Sequence, residues 1–347
     1  MQTIKTDRLI LRPFVVDDAD SMFKNWANDE DVLRYMPYDV CTTLQETREC
    51  VLQWLDYFQG IKGSSAAFAI VLDGEVIGTI DYAESDPGAN SAEIGYQLGK
   101  AWWGNGYAAE ALQAIIHHCF TSTSLNRLWG TFDPRNANAG KVMEKANMVK
   151  EGTLREYKIR KGERVDRIMH SILKDDYDVA KEIAYYNSLP YLFEDFVKIP
   201  KLSSGDIYLT CIRKSPADPV KKYAPAYSFA VCQDGEKIGE MSLRIGYGQG
   251  PQNDNLYYGG HIGYEIDEEY RGNGYAAEAC LLLAPVIKAH KMQKVLITNN
   301  ITNEPSKRVC EKIGAKLIRI ARLPKHNDLY KEGQRYINVF EWSFDLG

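Results

Sequence analysis

The octapeptide G-N-G-Y-A-A-E-A occurs at residues 104–111 and again, unchanged, at 272–279. Two glycines one residue apart, followed by small residues, describe a turn that runs into the first turn of a helix. Backbone N–H groups there point outward without partners, and the helix dipole adds about half a positive charge. Gly104 and Gly106 let the backbone approach a ligand, while small Ala108 and Ala109 keep the first turn clear, and the second copy repeats the string. Such a site binds an anion, and a diphosphate is its natural ligand. G-x-G-x-x-A is also the dinucleotide-binding fingerprint, with Asp133 as an acid placed to hold a ribose. Three features oppose that reading. About a hundred residues and a whole hairpin precede the glycines, the second copy has Asn299-Asn300 and no acid, and the preceding region is antiparallel in character. No triphosphate loop, G-x-x-x-x-G-K-[ST], occurs.

Positioning these glycines requires a framework, and the chain carries it twice. E-I-G-Y at 93–96 matches H-I-G-Y at 261–264, and 136–145 matches 303–312, so three blocks recur in order at an offset of 167–168 residues. That is a duplicated domain, too long for a solenoid repeat. In each copy an apolar run (66–72; 227–232) meets an Asp-Gly turn (Asp73-Gly74; Asp234-Gly235) and returns, predicting a hairpin. A strand (92–98; 261–266) then leads to the glycine string. Ala108, Ala111, Leu112, Ile115, Ile116 and Cys119 follow at helical spacing. Another strand (127–132; 294–298) and a second helix from near Asn136 or Glu304 come next, ending at Asn147 and Gly314. Each copy is expected to close with two strands around a turn, Lys161-Gly162 or Glu332-Gly333. Residues 175–186 read as a helix stopping at Pro190. The expected organisation is a first domain over 1–178, a linking helix end over 179–190 and a second domain over 191–347.

Composition narrows the classes. The chain has 347 residues, 45% hydrophobic and 26% charged, as in ordinary globular proteins, and a net charge of −5 that gives no support to nucleic-acid or acidic-membrane binding. Residues 1–178 carry 20 Lys+Arg against 27 Asp+Glu (net −7), the remainder 22 against 20 (net +2). The first half therefore suits a cationic substrate or a solvated acidic surface. Residues 1–14 hold Lys5, Asp7, Arg8 and Arg12 and read as no secretory signal. The apolar runs are far shorter than the ~20 residues of a membrane helix. Seven scattered cysteines without C-x-x-C read as reduced thiols of a cytoplasmic protein, and His117-His118 lacks partners for a metal site. Arg155, Lys158, Arg160, Lys161, Arg164 and Arg167 cluster on one hairpin, interleaved with Glu156, Glu163 and Asp166, as a solvated turn would be.

With these motifs in place the chain resembles a known family. It is similar to two fused GNAT-superfamily N-acetyltransferase domains, whose pyrophosphate loop follows [R/Q]-x-x-G-x-[G/A]. The second copy matches as Arg271-Gly272-Asn273-Gly274-Tyr275-Ala276; the first reads Trp103-Gly104-Asn105-Gly106-Tyr107-Ala108, with Trp at the Arg/Gln position. The first half further resembles the RimJ/RimL-type branch. The resemblance rests on T-D-R-L-I-L-R-P-F at 6–14, A-E-I-G-Y-Q-L at 92–98, L-N-R-L at 125–128, N-x-x-x-x-K-V-M-E-K at 136–145, E-G-T-L-R-E at 151–156 and the Asp166 region. That branch modifies ribosomal-protein N-termini and includes amino-sugar, polyamine and antibiotic acetyltransferases. The second half is similar over 227–318, but its opening, 193–213, lacks the T-x-R-L-x-L-R-P signature.

The resemblance implies a mixed α/β fold of two tandem GNAT domains. Each is a central, mostly antiparallel mixed sheet with a splayed strand pair, flanked by helices. It implies acetyl-coenzyme A as donor and a primary amine, either a small molecule or a protein N-terminus, as acceptor in a direct ternary-complex transfer. The partner is the acceptor alone, with no nucleic acid or membrane, and the chain is a monomer or homodimer. Implied cofactor contacts are the two loops just quoted, the strand backbone at Tyr96, Gln97 and Leu98 and at Tyr264, Glu265 and Ile266, and Asn136 and Asn303. An amine of pKa about 9–10 is protonated at neutral pH, so a base must act before attack. Glu93, preceding the splay on an apolar strand, is the candidate in the first copy; the second copy has His261 there. For the leaving thiolate the family uses a Tyr or Ser near the second helix, which here gives Ser306 in the second copy and Ala139 in the first. A rival reading is a coenzyme-A-binding sensor or scaffold with one or both halves silent. A nicotinamide-dependent oxidoreductase is a third.

Overall fold

The computed structural model describes residues 3–36, 38–61, 64–160, 162–189, 193–221, 223–246 and 255–345. Lys161 and Pro190, where a turn and a helix stop are expected, lie outside them. The chain divides into two compact units, Met1–Tyr177 and Asp178–Gly347.

In the first unit eight strands form one sheet: β1 (Ile4–Lys5), β2 (Ile10–Pro13), β3 (Ser65–Leu72), β4 (Glu75–Asp86), β5 (Ser91–Leu98), β6 (Arg127–Phe132), β7 (Val149–Arg160) and β8 (Glu163–Leu173), in the order β1-β2-β3-β4-β5-β6-β8-β7. The β3–β4 hairpin turns on Asp73 and Gly74, both at positive φ, as the Asp-Gly pair demands. Every neighbouring pair is antiparallel except β5 and β6. Their parallel pairing covers only Ser91–Glu93 against Arg127–Trp129, after which β5 stays on β4 and β6 on β8. The expected splay is therefore present.

Helices cover both faces of this sheet. Tyr107–Ser122 buries Ala111, Leu112, Ile115, Ile116, Cys119 and Phe120 in a core with Phe68, Ile80, Tyr82 and Ile94. On the other face the Leu44–Gly60 helix packs Val51, Trp54, Leu55 and Phe58 with Phe14, Trp26, Ala67 and Ala69. Thr43 caps its start by accepting from the Glu46 amide, and the Glu46 carboxylate reaches back to the Thr42 amide at 2.6 Å. These two bonds fix where the helix begins.

The second unit repeats the plan in two separate sheets. β9 (Leu202–Ser204), β10 (Ile207–Ser215), β11 (Ala226–Gln233), β12 (Glu236–Arg244) and β13 (Ile262–Ile266) make one; β14 (Lys294–Asn300), β15 (Lys316–Arg322) and β16 (Tyr336–Ser343) make the other. β13 and β14 share no ladder among the described residues, and the His261 amide donates to the Leu296 carbonyl at 2.7 Å where they meet. The glycine-string helix is interrupted here, Tyr275–Leu282 then Ala284–Ala289, because Pro285 cannot donate an N–H.

Two expectations change. Instead of a simple turn at Glu332-Gly333, a short helix, Asp328–Lys331, stands between β15 and β16, and Gly333 at φ +99° ends it. The stretch expected as a linker is packed: the Lys174–Ser188 helix buries Val179 and Tyr186 with Tyr257, Tyr258 and Val339 of the second unit. Among the described residues no helix is long and apolar enough to cross a membrane, and all seven cysteines are free thiols.

Candidate active site

In the first unit Gly104 and Gly106 take φ of +81° and +83°, the left-handed region that a side chain resists. Gly106 is the N-terminal cap of the Tyr107–Ser122 helix and has no side chain to close it. The amides of Gly104 to Ala108 meet no acceptor among the described residues. The T-D-R-L opening secures this turn. Arg8 donates to the Asn105 carbonyl at 3.0 Å, pairs with Glu110 at 2.6 Å and stacks over the Tyr107 ring at 4.5 Å. Thr6 donates to the other Glu110 oxygen at 2.5 Å. Burial opposes the charge on Glu110, but the bonds from Thr6 and Arg8 outweigh it and hold its pKa below the ordinary glutamate value.

The second unit sets the same turn by other means. Gly272 and Gly274 lie at φ +87° and +88°. Arg271 Nε donates to the Ile266 carbonyl at 2.8 Å, and in the first unit Trp103 Nε1 donates to the matching Leu98 carbonyl at 2.7 Å. The departure at the Arg/Gln position is thus a replacement of one strand-end donor by another. Where Arg8 flanks the second glycine in the first unit, Lys312 does so in the second, its Nζ 2.8 Å from where a Cβ on Gly274 would sit.

Beside the splay the first unit has a half-open cavity of about 730 Å³. Tyr96, Gln97 and Asn136 line it together with Glu93. Thr79, Asp81 and Ala83 of β4 and Glu93, Gly95 and Gln97 of β5 form its sheet wall, paired Thr79–Gln97, Asp81–Gly95 and Ala83–Glu93 across the two strands. Tyr35, Tyr38, Trp54, Tyr57 and Phe58 add an aromatic wall. Glu93 is half-buried, 3.5 Å from Lys158 Nζ. Tyr38 and Gln97 are hydrogen-bonded through their side chains. The Tyr96 hydroxyl donates to the Ala139 carbonyl at 3.0 Å, and Asn136 caps the Ala137–Lys145 helix through the Ala139 amide.

Asp81 is the residue that sequence reasoning missed. Its carboxyl lies over Gly95, where any side chain would come within 3.1 Å of both its oxygens. Burial, then the neighbouring Glu93 charge, push its pKa up to about 8. An acid between Ile80 and Tyr82 in an apolar strand was a visible signal; its register against Gly95 was not. Asp133, weighed as a ribose-binding acid, is instead buried between Arg135 at 2.6 Å and Arg160 at 3.6 Å. The basic cluster is divided. Arg167 donates to the Thr131 carbonyl at 2.6 Å and lines the cavity with Lys158, while Arg164 pairs with Glu156.

Comparison with known proteins fits this architecture. The model of the acetyltransferase (GNAT) domain matches twice, over residues 8–149 and 194–316. The uncharacterised N-acetyltransferase p20 of Bacillus licheniformis is 36% identical over 179 residues, 51% of this chain and 99% of its own length. The chain belongs to the GNAT acetyltransferase family. The uncharacterised N-acetyltransferase YoaA of Bacillus subtilis is 29% identical over 171 residues, 49% of this chain and 96% of its own. The ribosomal-protein-serine acetyltransferase of Escherichia coli is 33% identical over 95 residues, 27% of this chain and 53% of its own. A solved GNAT-family acetyltransferase from Bacillus anthracis is similar with a TM-score of 0.45 at 28% identity, covering 50% of this chain and 99% of that one.

The two GNAT units differ most where the chemistry is expected. In the second, Ser242 faces Gly263 as Asp81 faces Gly95, with the Arg244 guanidinium next to it, 3.8 Å from a Cβ built on Gly263. Arg244 donates to the Gly260 carbonyl at 3.1 Å. His261, expected as a base, is fully buried with both ring nitrogens occupied: Nδ1 accepts from the Leu296 amide at 2.9 Å and Nε2 bonds the Gly246 carbonyl at 2.8 Å. Burial first of all lowers its pKa to about 4, so it stays neutral and sealed. The ring ties the start of β13 to Leu296 of β14 and to Gly246, with no nitrogen left to take a proton from an acceptor. Ser306 meets the Tyr264 hydroxyl at 2.8 Å, and its amide donates to the Asn303 side chain that caps the Glu304–Lys312 helix.

Proposed function

We propose that the first unit transfers an acetyl group from acetyl-coenzyme A to a primary amine by direct attack in a ternary complex. The observation that supports this most is the single cavity shared by Glu93 and by Tyr96, Gln97 and Asn136. It joins a proton-accepting group to the strand edge where a pantetheine arm would lie. The residues fit coenzyme A: the Gly104–Ala108 turn presents unpaired amides at a helix N-terminus, with Arg8 beside Gly106, as a diphosphate requires. Bound there, acetyl-coenzyme A supplies an activated thioester. Glu93 takes a proton from the ammonium form of the acceptor, directly or through water, because only the neutral amine attacks. Amides of the unpaired β5 edge around Tyr96 donate toward the thioester oxygen. The acceptor is a small amine or a protein N-terminus. In the second unit we infer coenzyme A binding without turnover, since the Arg244 guanidinium puts a positive charge beside Gly263, on the wall matching that of Asp81 and Gly95, and His261 is sealed.

Release of free thiol from acetyl-coenzyme A over a panel of amines tests the reading. Glu93→Gln is expected to lower kcat by about 10²–10⁴-fold with coenzyme affinity unchanged. Turnover unaffected by Glu93→Gln would remove Glu93 as the base. Coenzyme binding without release for any amine would leave the sensor or scaffold reading instead.

A further inference from the structure

Within the cavity Asp81 has a carboxyl group that makes no hydrogen bond or ion pair among the described residues, unlike Asp133, which two arginines clamp. It sits in the middle of β4 between Ile80 and Tyr82, whose side chains turn to the opposite, buried face. Gly95 opposite leaves the space its carboxyl occupies, since a Cβ there would stand 3.1 Å from either oxygen. An acid drawn out of water without a hydrogen-bond partner costs free energy that the fold does not recover internally. Such a group is ordinarily retained for a ligand that completes it.

We propose that Asp81 binds the ammonium group of the acceptor beside Glu93, and that the acceptor is a small cationic amine with an apolar or aromatic body. This rests on the acetyltransferase reading of the first unit. Glu93 lies on the neighbouring strand one diagonal step from Asp81, so an ammonium ion held by Asp81 is within reach of the group that takes its proton. Tyr35, Trp54, Tyr57 and Phe58 supply faces for an apolar body and for cation–π contact. A volume of about 730 Å³ is that of a small-molecule pocket. In the second unit the corresponding wall holds Ser242 and the cationic Arg244, which would repel the same ligand.

The charge on Asp81 is set by all the groups facing it. Glu93 on β5 opposes its ionisation; Tyr38, with Cys41 and Cys50 behind it, borders it from the covering segment and helix. Lys158 of β7 and Arg167 of β8 stand on the far side of Glu93, and Asp39 lines the rim. Burial and Glu93 raise its pKa to about 8, so the free site ionises as pH climbs through that value and binding of a cation draws the ionised form to lower pH.

The test uses the full chain, its Asp81→Asn variant and two amines of similar body, one protonated near neutral pH (phenethylamine) and one neutral there (aniline). Asp81→Asn is expected to reduce kcat/KM for phenethylamine about 10- to 100-fold, mostly through KM. For aniline the change stays within about threefold, and coenzyme A affinity by calorimetry is unchanged. The rise of kcat/KM for phenethylamine with pH also disappears in the variant. Equal losses for both amines would overturn the proposal and make Asp81 structural. Peptides with free N-termini used as efficiently as phenethylamine would overturn the small-acceptor half. A wild-type chain inactive with every amine while binding coenzyme A would instead remove the acetyltransferase reading itself.

Discussion

Asp81 holds a neutral carboxyl in the folded chain at neutral pH and a charged one when unfolded, and that difference has a stability consequence. Its pKa is about 8 folded against about 3.9 for a free aspartate. Between those values the folded state keeps a proton that the unfolded state releases. The stability contributed by Asp81 is therefore intact below the unfolded pKa and is lost as pH rises through 8. Asp81→Asn keeps the shape and removes the titration, so it should raise the melting temperature of the first unit, and by more at about pH 9 than at about pH 6. Scanning calorimetry of both proteins at the two pH values measures this, and an equal shift at both would show that Asp81 is not held neutral. A site residue that weakens its own fold is the expected signature of one kept for a ligand. His261, at the position Glu93 holds in the first unit, shows the opposite case: its ring nitrogens are used up by Leu296 and Gly246, and the residue type alone made it look chemical.

At the scale of elements, the glycine turns were legible because their signal is local: glycine tolerates φ near +85° and a helix start exposes its own amides. The duplicated hairpins were legible for the same reason, down to the Asp-Gly turns. What escaped depends on long-range register or on packing. The pairing of Asp81 with Gly95, the inward turn of Lys158 and Arg167, and the aromatic wall from the Leu44–Gly60 helix arise only when β4, β5, β7 and β8 assemble. Trp103 belongs to this class as well. As a letter it breaks the family pattern, whereas in space its indole N–H does what the Arg271 guanidinium does, bonding the last carbonyl of the strand. Trp103→Arg should therefore keep coenzyme A affinity, while Trp103→Phe, which lacks the donor, should weaken it about 5- to 10-fold, the worth of one hydrogen bond. Calorimetric titration compares them; equal weakening by both would mean that indole packing, and not the bond to Leu98, orders the turn.

For the whole molecule, two units of one family have kept matching glycine turns and lost the symmetry of the sheet wall near them. The first unit combines net negative charge, a half-open cavity and two adjacent acids; the second has Ser242 and Arg244 at that wall and a sealed histidine. The proposed division of labour rests on those charges and not on the two glycine turns, which differ little. It is tested by amine-dependent thiol release from acetyl-coenzyme A by the full chain and by Gly106→Val and Gly274→Val. Either substitution forces a β-branched residue into a left-handed conformation and distorts one turn. Gly106→Val should lower release by about tenfold or more, and Gly274→Val should stay within about twofold of the unaltered chain. Loss of release in Gly274→Val with release intact in Gly106→Val would contradict the assignment of catalysis to the first unit.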